Sequence, residues 1–382
     1  MEALILGWYV LSATGSVRLL GVVAALAWLG ALFSPFFGIA GDRLGVRALL
    51  CLTRAAYALL ALLLAILALG HRIEPWHVLV IAGLAGLMKP SDMAMRNVLV
   101  GQTIRAEALM GALAISRTTS DTARLAGAFT GTSGVALIGM GHAYLGVAAV
   151  YAAAFLFSLG VAPQPPRALH AHAEDVLPGL RAGVRYVWGK PDLLGAFCIA
   201  FLVNLLAYPF FLGLLPYAAK DVFGIGQAGL GFLAGAFAGG ALAGSLLVSS
   251  NRVPLPAARV MLLSSTLWFA GILVFGQLRS VPAALAVLFF VGFVQSLCMT
   301  PLAAVMLRAT SEEMRGRVMG IRMLAVWGLP LGLVAAGPII SDIGYRATTV
   351  LYGVAGLVCT LAIGTRWQRA LWHRAAAANA RL

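Results

Sequence analysis

The stretch Gly38-Ile39-Ala40-Gly41-Asp42-Arg43-Leu44-Gly45-Val46-Arg47 separates two long apolar runs of this sequence. One run ends at Ala40 and the next begins at Ala48, so the stretch is predicted to be a short charged loop between two membrane helices. Its glycines allow a tight reversal of the chain, and its two arginines favour the cytoplasmic face of a membrane.

The composition of the whole chain excludes an ordinary soluble protein. Of the 382 residues, 61% are hydrophobic and only 10% are charged, whereas soluble domains carry about 25% charged residues. The net charge of +14 does not indicate nucleic-acid binding, because the basic residues are spread over many loops. The four cysteines stand singly inside apolar runs, so neither a metal site nor a disulfide is predicted.

Apolar segments long enough for a membrane crossing, which needs about 20 residues, follow one another along the chain. They cover residues 17–40, 48–70, 76–99, 108–139, 143–161, 193–217, 227–248, 257–275, 281–307, 318–340 and 345–363. Ahead of them lies only the segment 4–14, about half of a crossing. We therefore predict an all-α polytopic membrane protein of about twelve helices with a half-length first helix, and we expect a start site placed too late or a truncated chain.

A polar stretch divides the chain. It opens with Pro163-Gln164-Pro165-Pro166 and contains an amphipathic segment at 176–188 that is predicted to lie on the membrane surface. The expected organisation is an N-terminal helix bundle over 1–162, a linker over 163–192, a C-terminal helix bundle over 193–365 and a basic tail over 366–382. Leu109-Met110-Gly111 in the first bundle is matched by Val318-Met319-Gly320 in the second, which indicates an internal repeat.

The basic residues predict how the helices are oriented. Most of them fall on the side of the linker and the C-terminus, and the opposite side receives only Arg18, Arg72, Lys220, Arg279 and Arg346. By the positive-inside rule, the linker and the C-terminus are cytoplasmic. The expected location is the plasma membrane, that is, the inner membrane of a bacterium.

The loop at 38–47 reads G-x-x-x-D-R-x-G-x-R and resembles the loop between the second and third helices of the major facilitator superfamily. Val46 departs from the family pattern, which has a basic residue there. Asn204, Pro209, Leu215-Pro216 and the glycine-rich region 229–244 resemble helices seven and eight of the branch that contains enterobactin and multidrug exporters. The resemblance implies two six-helix halves and transport by alternating access.

The resemblance also implies a conformational role for the 38–47 loop and for the start of the eleventh helix. In the family, the aspartate of this loop lies near that helix start, where the positive end of the helix dipole attracts it. The gating residues implied in this chain are Gly38, Asp42, Arg43, Gly45, Arg47, Arg315 and Arg317.

Two carboxylates stand deep inside predicted helices, while the other eleven lie at loops or helix ends. Asp92 has Lys89 and Arg96 three or four positions away, and Asp121 has Arg117 and Arg124 at the same spacings, so each set forms one helical stripe. No histidine lies deep. If protons drive transport, Asp92 or Asp121 carries the protonation step.

Other roles for these stripes stay open. Intrahelical ion pairs make buried charge tolerable, and an aspartate held by two cations resists protonation. The basic excess of Lys89, Arg117 and Arg124 can instead attract an anion, and Arg96 can lie at the inner interface. Asn204, Gln295, Ser296 and Thr300 are either cavity residues or hydrogen-bond partners between helices.

The sequence contains no motif that supports an enzyme; the segment 183–190, for example, has the wrong spacing for a phosphate loop. No cofactor or metal is expected. The predicted function is a proton-coupled exporter of small amphipathic, drug- or siderophore-like molecules, acting as a monomer whose partners are its substrate, protons and the lipid bilayer. The alternatives are an uptake carrier for a small anionic metabolite and an inactive remnant or membrane scaffold.

Overall fold

The computed structural model describes residues 2–33, 45–103, 109–160, 176–250, 255–311 and 314–373, and their regular structure is entirely helical. Before the linker, the helices are α1 (Glu2–Thr14), α2 (Val17–Leu26), α3 (Val46–Leu69), α4 (Pro75–Thr103) and α5 (Leu109–Leu159). A 3₁₀ turn, Leu29–Phe33, follows α2. We refer to α1–α5 as the N-terminal helices.

The amphipathic linker helix α6 (Val176–Trp188) coincides with the predicted surface segment. The C-terminal helices follow it: α7 (Pro191–Leu202), α8 (Tyr208–Leu212), α9 (Leu215–Tyr217), α10 (Gln227–Ser249), α11 (Ala257–Gln277), α12 (Val281–Arg308), α13 (Arg315–Ala325) and α14 (Gly328–Arg366). Wide π-helical turns at Val203–Ala207 and Ala218–Val222 join the short pieces around Pro209 and Pro216, as expected where proline removes a backbone donor.

In the ranges described, seven helical stretches are long and apolar enough to cross a membrane. The predicted spans at 48–70, 76–99, 227–248, 257–275 and 281–307 each coincide with one helix, with ends a few residues apart. The all-helical membrane fold is therefore confirmed.

Two predicted boundaries between consecutive spans coincide with breaks in the helices, although the turns are shorter than expected. Residues 140–142 and 341–344 were expected to separate the spans, and α5 and α14 each consist of two helical stretches that meet at one glycine, Gly139 (φ 80°, ψ 163°) and Gly344 (φ 83°, ψ 163°). Residues other than glycine rarely adopt this positive φ, so a single glycine can turn the chain here without a longer loop. The two breaks are nearly identical in geometry, which agrees with the internal repeat read from the sequence.

The prediction of a continuous helix over 17–40 is wrong for the part that is described. The α-helix ends at Leu26, and the chain tightens into the 3₁₀ turn where it crosses α4. A Cβ atom on Gly30 would lie 2.0 Å from the Leu87 carbonyl oxygen, and one on Gly86 would lie 1.9 Å from the Leu26 carbonyl oxygen. The two backbones touch at this crossing, so the local path of α2 is set by close packing.

Buried apolar residues form two clusters. The smaller cluster belongs to the N-terminal helices and includes Val10, Leu64, Val78 and Tyr144. The larger cluster runs through the C-terminal helices and takes in the inward side of α2. Helix α2 therefore contributes residues to both apolar clusters and links the N-terminal helices to the C-terminal helices.

The N- and C-terminal helices meet most extensively along α2 with α14 and along α5 with α10. At one end of the bundle, the Arg18 Nη2 atom lies 3.1 Å from Asp342 Oδ1. Lys220 Nζ donates a hydrogen bond of 3.2 Å to the Leu11 carbonyl at the same end. We call this the Arg18 end, and we call the opposite end, where α6 lies, the linker end.

The linker helix is attached to the loop after α12. Lys190 Nζ donates to Tyr186 Oη (2.6 Å) and to the Ala309 carbonyl (2.9 Å), and the Ser311 amide donates to Tyr186 Oη (3.1 Å). The hydrogen bond from Lys190, followed by those from Ser311, lowers the pKa of Tyr186 to about 8, from an ordinary value near 10.

We predict that this attachment tightens as the pH rises. Because the pKa of Tyr186 is lowered in the folded protein, the stabilisation is complete above the ordinary pKa of about 10 and is lost as the pH falls through about 8. The tyrosinate absorbance difference between the wild type and Tyr186→Phe should titrate near pH 8, and Lys190→Met should move that midpoint toward 10. A wild-type midpoint near 10 contradicts the attachment.

Candidate functional site

A lysine on the N-terminal helices, Lys89, faces the C-terminal helices. Lys89 Nζ lies 4.3 Å from the centre of the Trp28 ring, a cation–π contact between α4 and the end of α2. Trp28 packs against the larger apolar cluster, so the Lys89 side chain lies on the side of α4 that faces the C-terminal helices. Its ammonium group is attracted by the Glu2 carboxylate and repelled by the Arg124 guanidinium.

Glu2 lies deep in the bundle. Its Oε2 atom accepts a hydrogen bond of 2.9 Å from Tyr151 Oη, and Tyr151 lies twelve residues, or about 18 Å, beyond the break at Gly139. Since the Gly139 break lies at the Arg18 end and a membrane core is about 30 Å thick, Glu2 lies near mid-depth. The sequence counted Glu2 among the carboxylates at helix ends, which is true of α1 but misses its depth.

An aromatic contact ties this carboxylate to the neighbouring helices. The rings of Tyr151 and Tyr57 stack with centroids 5.1 Å apart, and Tyr57 Oη donates to the Ala85 carbonyl (3.1 Å). Glu2 on α1 is thereby connected to α5, α3 and α4, one turn from Lys89.

Gln295 is the predicted polar residue that joins two C-terminal helices inside the bundle. Its Nε2 atom donates to Tyr208 Oη (2.8 Å), and the Tyr208 ring packs edge-on against Trp268. The Trp268 Nε1 atom is buried and has no hydrogen-bond partner in the described part of the chain. Tyr208 and Trp268 were not singled out from the sequence, where the only signal was Pro209 beside Tyr208.

The other predicted polar residues of this group have structural contacts. Asn204 is buried, and its Nδ2 atom donates to the Ala200 carbonyl of its own helix (2.8 Å). Ser296 Oγ donates to the Ala241 carbonyl (2.7 Å) and so links α12 to α10. Of the two roles left open, that of a hydrogen-bond partner between helices fits Ser296, whereas the bond of Asn204 stays within one helix.

The charged stripes are only partly described. Asp92 and Arg96 lie on α4, and Arg117 and Asp121 lie on α5, but their side chains fall outside the described residues. Of the stripe residues, Lys89 and Arg124 have described side chains, and both are exposed. The structure brings these two cations toward the same space, and it does not test the pairing of either aspartate.

The 38–47 loop is described only at its end. Gly38, Asp42 and Arg43 lie outside the described residues, as do the side chains of Arg315 and Arg317 at the start of α13. Gly45 has φ 83°, a conformation that favours glycine, and it directly precedes α3. Arg47 donates a hydrogen bond of 2.5 Å from Nη2 to the Leu159 carbonyl at the end of α5.

Comparison with known proteins identifies this architecture. The sequence model of the Major Facilitator Superfamily matches residues 3–333. A search of curated protein sequences gives no significant match.

Solved structures of transporters share the fold. A variant of the nucleoside transporter NupG superimposes with a TM-score of 0.72 at 14% identity, covering 95% of this chain and 94% of that one. A D-xylose-proton symporter gives 0.71 at 14% identity over 95% and 94%. The human organic anion transporter MFSD10 (TETRAN) gives 0.62 at 17% identity over 90% and 83%. At such identities the likeness shows the fold and leaves the substrate open.

Proposed function

Because the chain belongs to the major facilitator superfamily, we propose that it is a secondary active transporter that exports small amphipathic molecules in exchange for protons. It works as a monomer with two six-helix halves, divided by the 163–192 linker. The observation that carries this proposal is the seam between the N- and C-terminal helices. The seam is closed at the Arg18 end, the contact between Lys89 and Trp28 lies on the side of α4 that faces the C-terminal helices, and Gln295 bonds Tyr208 among the C-terminal helices.

The seam supports alternating access. The polar contacts at the Arg18 end are an exposed ion pair and single hydrogen bonds, which cost little to break. A carrier needs such an end, because it must open and close in each cycle. At the linker end, the proposed counterpart is Asp42 against the start of α13, as the family resemblance implies.

We place the protonation step on a carboxylate inside the bundle. Asp92 and Asp121 are the candidates from the sequence, and the depth of Glu2 adds a third. Charges at this depth are costly and usually functional.

The test is a proton-flux measurement in inside-out membrane vesicles that maintain a proton gradient. We expect addition of an amphipathic compound to dissipate the gradient, because each exported molecule is exchanged for a proton. Vesicles without the protein are the control. Failure of a broad panel of amphipathic compounds to change the gradient would count against the exporter.

An anion uptake carrier is the second candidate, and the electrostatic repulsion between two cations, Lys89 and Arg124, favours it, because a bound anion would relieve that repulsion. In right-side-out vesicles, such a carrier would accumulate a small anionic metabolite together with protons. Lys89→Gln should then abolish anion accumulation, whereas an exporter of neutral or cationic compounds would tolerate the exchange.

The proposed orientation places the linker and the C-terminus in the cytoplasm, and it predicts which face a membrane-impermeant thiol reagent can reach. In a chain without its own cysteines, a cysteine at Ala171 or Ala376 should be labelled only from the cytoplasmic face. A cysteine at Ser280 should be labelled only from outside. Labelling at Ala171 from outside reverses the orientation.

A further inference from the structure

Lys89 places an ammonium group inside the bundle. Helix α4 begins at the Arg18 end, because the end of α3 packs beside the break in α5, where a Cβ atom on Gly141 would lie 2.7 Å from the Leu69 side chain. Lys89 follows the first residue of α4, Pro75, by fourteen positions, so it lies about 21 Å from that end, at nearly the depth of Glu2. Its side chain is exposed and faces the C-terminal helices, so the ammonium group borders an accessible space between the two groups of helices.

This ammonium group has an unusual environment for a charge at such depth. Its contact within the described residues is the face of the Trp28 ring (4.3 Å), and Lys89 makes neither a hydrogen bond nor an ion pair there. The Glu2 carboxylate attracts it from a distance, but Glu2 Oε2 accepts its hydrogen bond from Tyr151 instead. Charges inside a membrane protein are costly, and they usually pair with a second group or mark the path of a substrate. The three N–H donors of the Lys89 ammonium group can therefore serve an anion.

Trp28 is held in place from the other half of the protein. It follows the end of α2, and its carbonyl accepts a hydrogen bond of 3.0 Å from the Ala31 amide within the 3₁₀ turn. The Ala31 carbonyl in turn accepts a hydrogen bond of 3.1 Å from Trp327 Nε1, at the junction of α13 and α14. The Trp28 ring is half-buried and packs against the larger apolar cluster. It therefore offers a fixed aromatic surface beside the charge of Lys89.

We propose that Lys89 and Trp28 form a subsite for an amphipathic organic anion, with its carboxylate at the Lys89 ammonium group and its aromatic or apolar body against the Trp28 ring. The inference rests on the proposed transport function and names the class of substrate for that site. A carboxylate gives the ammonium group a charge-assisted hydrogen bond, and the indole ring then stacks with the body of the ligand. A neutral compound of the same shape would contact the ring but would leave the charge without a partner.

The experiment measures equilibrium binding to the purified full chain by isothermal titration calorimetry. The two probes are 2-naphthoate and its neutral amide, 2-naphthamide, which share the aromatic body and differ in charge. We expect the wild type to bind 2-naphthoate about tenfold or more tightly than the amide. Lys89→Gln should lower the affinity for 2-naphthoate to that for the amide and leave amide binding unchanged. Lys89→Arg should retain the preference for the acid.

Trp28→Leu tests the aromatic part of the subsite. It should weaken the binding of the acid and of the amide by a similar factor, about three- to tenfold, because it removes the surface for the shared body and keeps the charge. Arg308→Gln and Trp188→Leu are the matched controls. Both residues are exposed at the linker end, and both variants should bind the two probes like the wild type.

Three results overturn the proposal. They are the absence of 2-naphthoate binding, an unchanged preference for the acid in Lys89→Gln, and equal wild-type affinity for the two probes, which is also the result expected if Asp92 neutralises Lys89. Should Lys89→Gln fail to fold, Trp28→Leu and the comparison of the two probes still decide. Binding is measured without a proton gradient, so intact binding without proton exchange refutes the proposed function alone. Proton exchange with no preference for the acid refutes this inference alone.

Discussion

Removal of the carboxylate that carries the proton is expected to abolish transport driven by a proton gradient, with a loss of about a hundredfold or more, equivalent to ~2.7 kcal/mol. The single variants Glu2→Gln, Asp92→Asn and Asp121→Asn identify which residue it is. The described carboxylates other than Glu2 lie at helix ends or turns near the faces of the bundle, among them Glu74, Asp192 and Asp342. A carboxylate that carries protons between the two faces is therefore expected in the interior of the bundle.

The measurement compares two assays of each variant in proteoliposomes. Transport against a gradient of substrate requires proton release and uptake, whereas exchange of labelled for unlabelled substrate does not. The coupling variant should lose the first and keep the second, because a permanently neutral side chain mimics the protonated state. Full proton-driven transport in all three single variants and in the triple variant would refute the assignment.

The structural alternative for the aspartates gives a different result. If Asp92 or Asp121 only neutralises the cations on its own stripe, its removal leaves buried charge uncompensated, which destabilises a protein by about 3–5 kcal/mol. Asp92→Asn or Asp121→Asn would then lose folded protein in a thermal unfolding assay. Glu2 accepts a hydrogen bond from Tyr151, and Gln at this position retains an acceptor, so Glu2→Gln should remain folded.

Gly21→Val is expected to hold the Arg18 end open and to slow transport strongly. A Cβ atom at Gly21 would lie 2.5 Å from the Leu333 carbonyl oxygen, across the seam between α2 and α14. The neighbouring contact is also close, since a Cβ atom at Gly337 would lie 2.9 Å from Arg18 Cα. Overpacking costs about 1–3 kcal/mol, which shifts a two-state balance by roughly 5- to 140-fold at about 1.4 kcal/mol per decade.

The reactivity of a cysteine placed at the seam measures this shift toward the open state. Ala336 is buried on α14 beside the crossing, and a cysteine there should react with an impermeant reagent from the Arg18 end much faster in the Gly21→Val background. Gly146→Val is the control, because a Cβ atom at Gly146 meets nothing within 4 Å. Arg18→Gln should have a smaller effect, since the pair with Asp342 is exposed and such pairs contribute about 0–1 kcal/mol. Unchanged reactivity in Gly21→Val would show that the seam does not open at this crossing.

The lengths of the apolar segments predicted the positions of the helices well. Spans such as 48–70 and 281–307 became α3 and α12 almost unchanged, because a run of about 20 apolar residues has few stable alternatives to a membrane helix. The break in the helix beside Pro209 and the helix at 176–188 also agree with what local chemistry predicted. The turns at 140–142 and 341–344 are shorter than predicted, because a single glycine at positive φ breaks the helix there.

The sequence by itself determined that the chain is a helical membrane protein, where most of its helices lie and which family it belongs to. Tertiary structure alone decided which polar groups meet: Glu2 with Tyr151, Gln295 with Tyr208, and Arg18 with Asp342. Apolar periodicity depends on the composition of one helix, whereas these contacts depend on the depth and rotation of two helices distant in sequence. Glu2 lies at the end of α1 in the sequence, and only its hydrogen bond with Tyr151 shows that it lies beside α5 in the bundle.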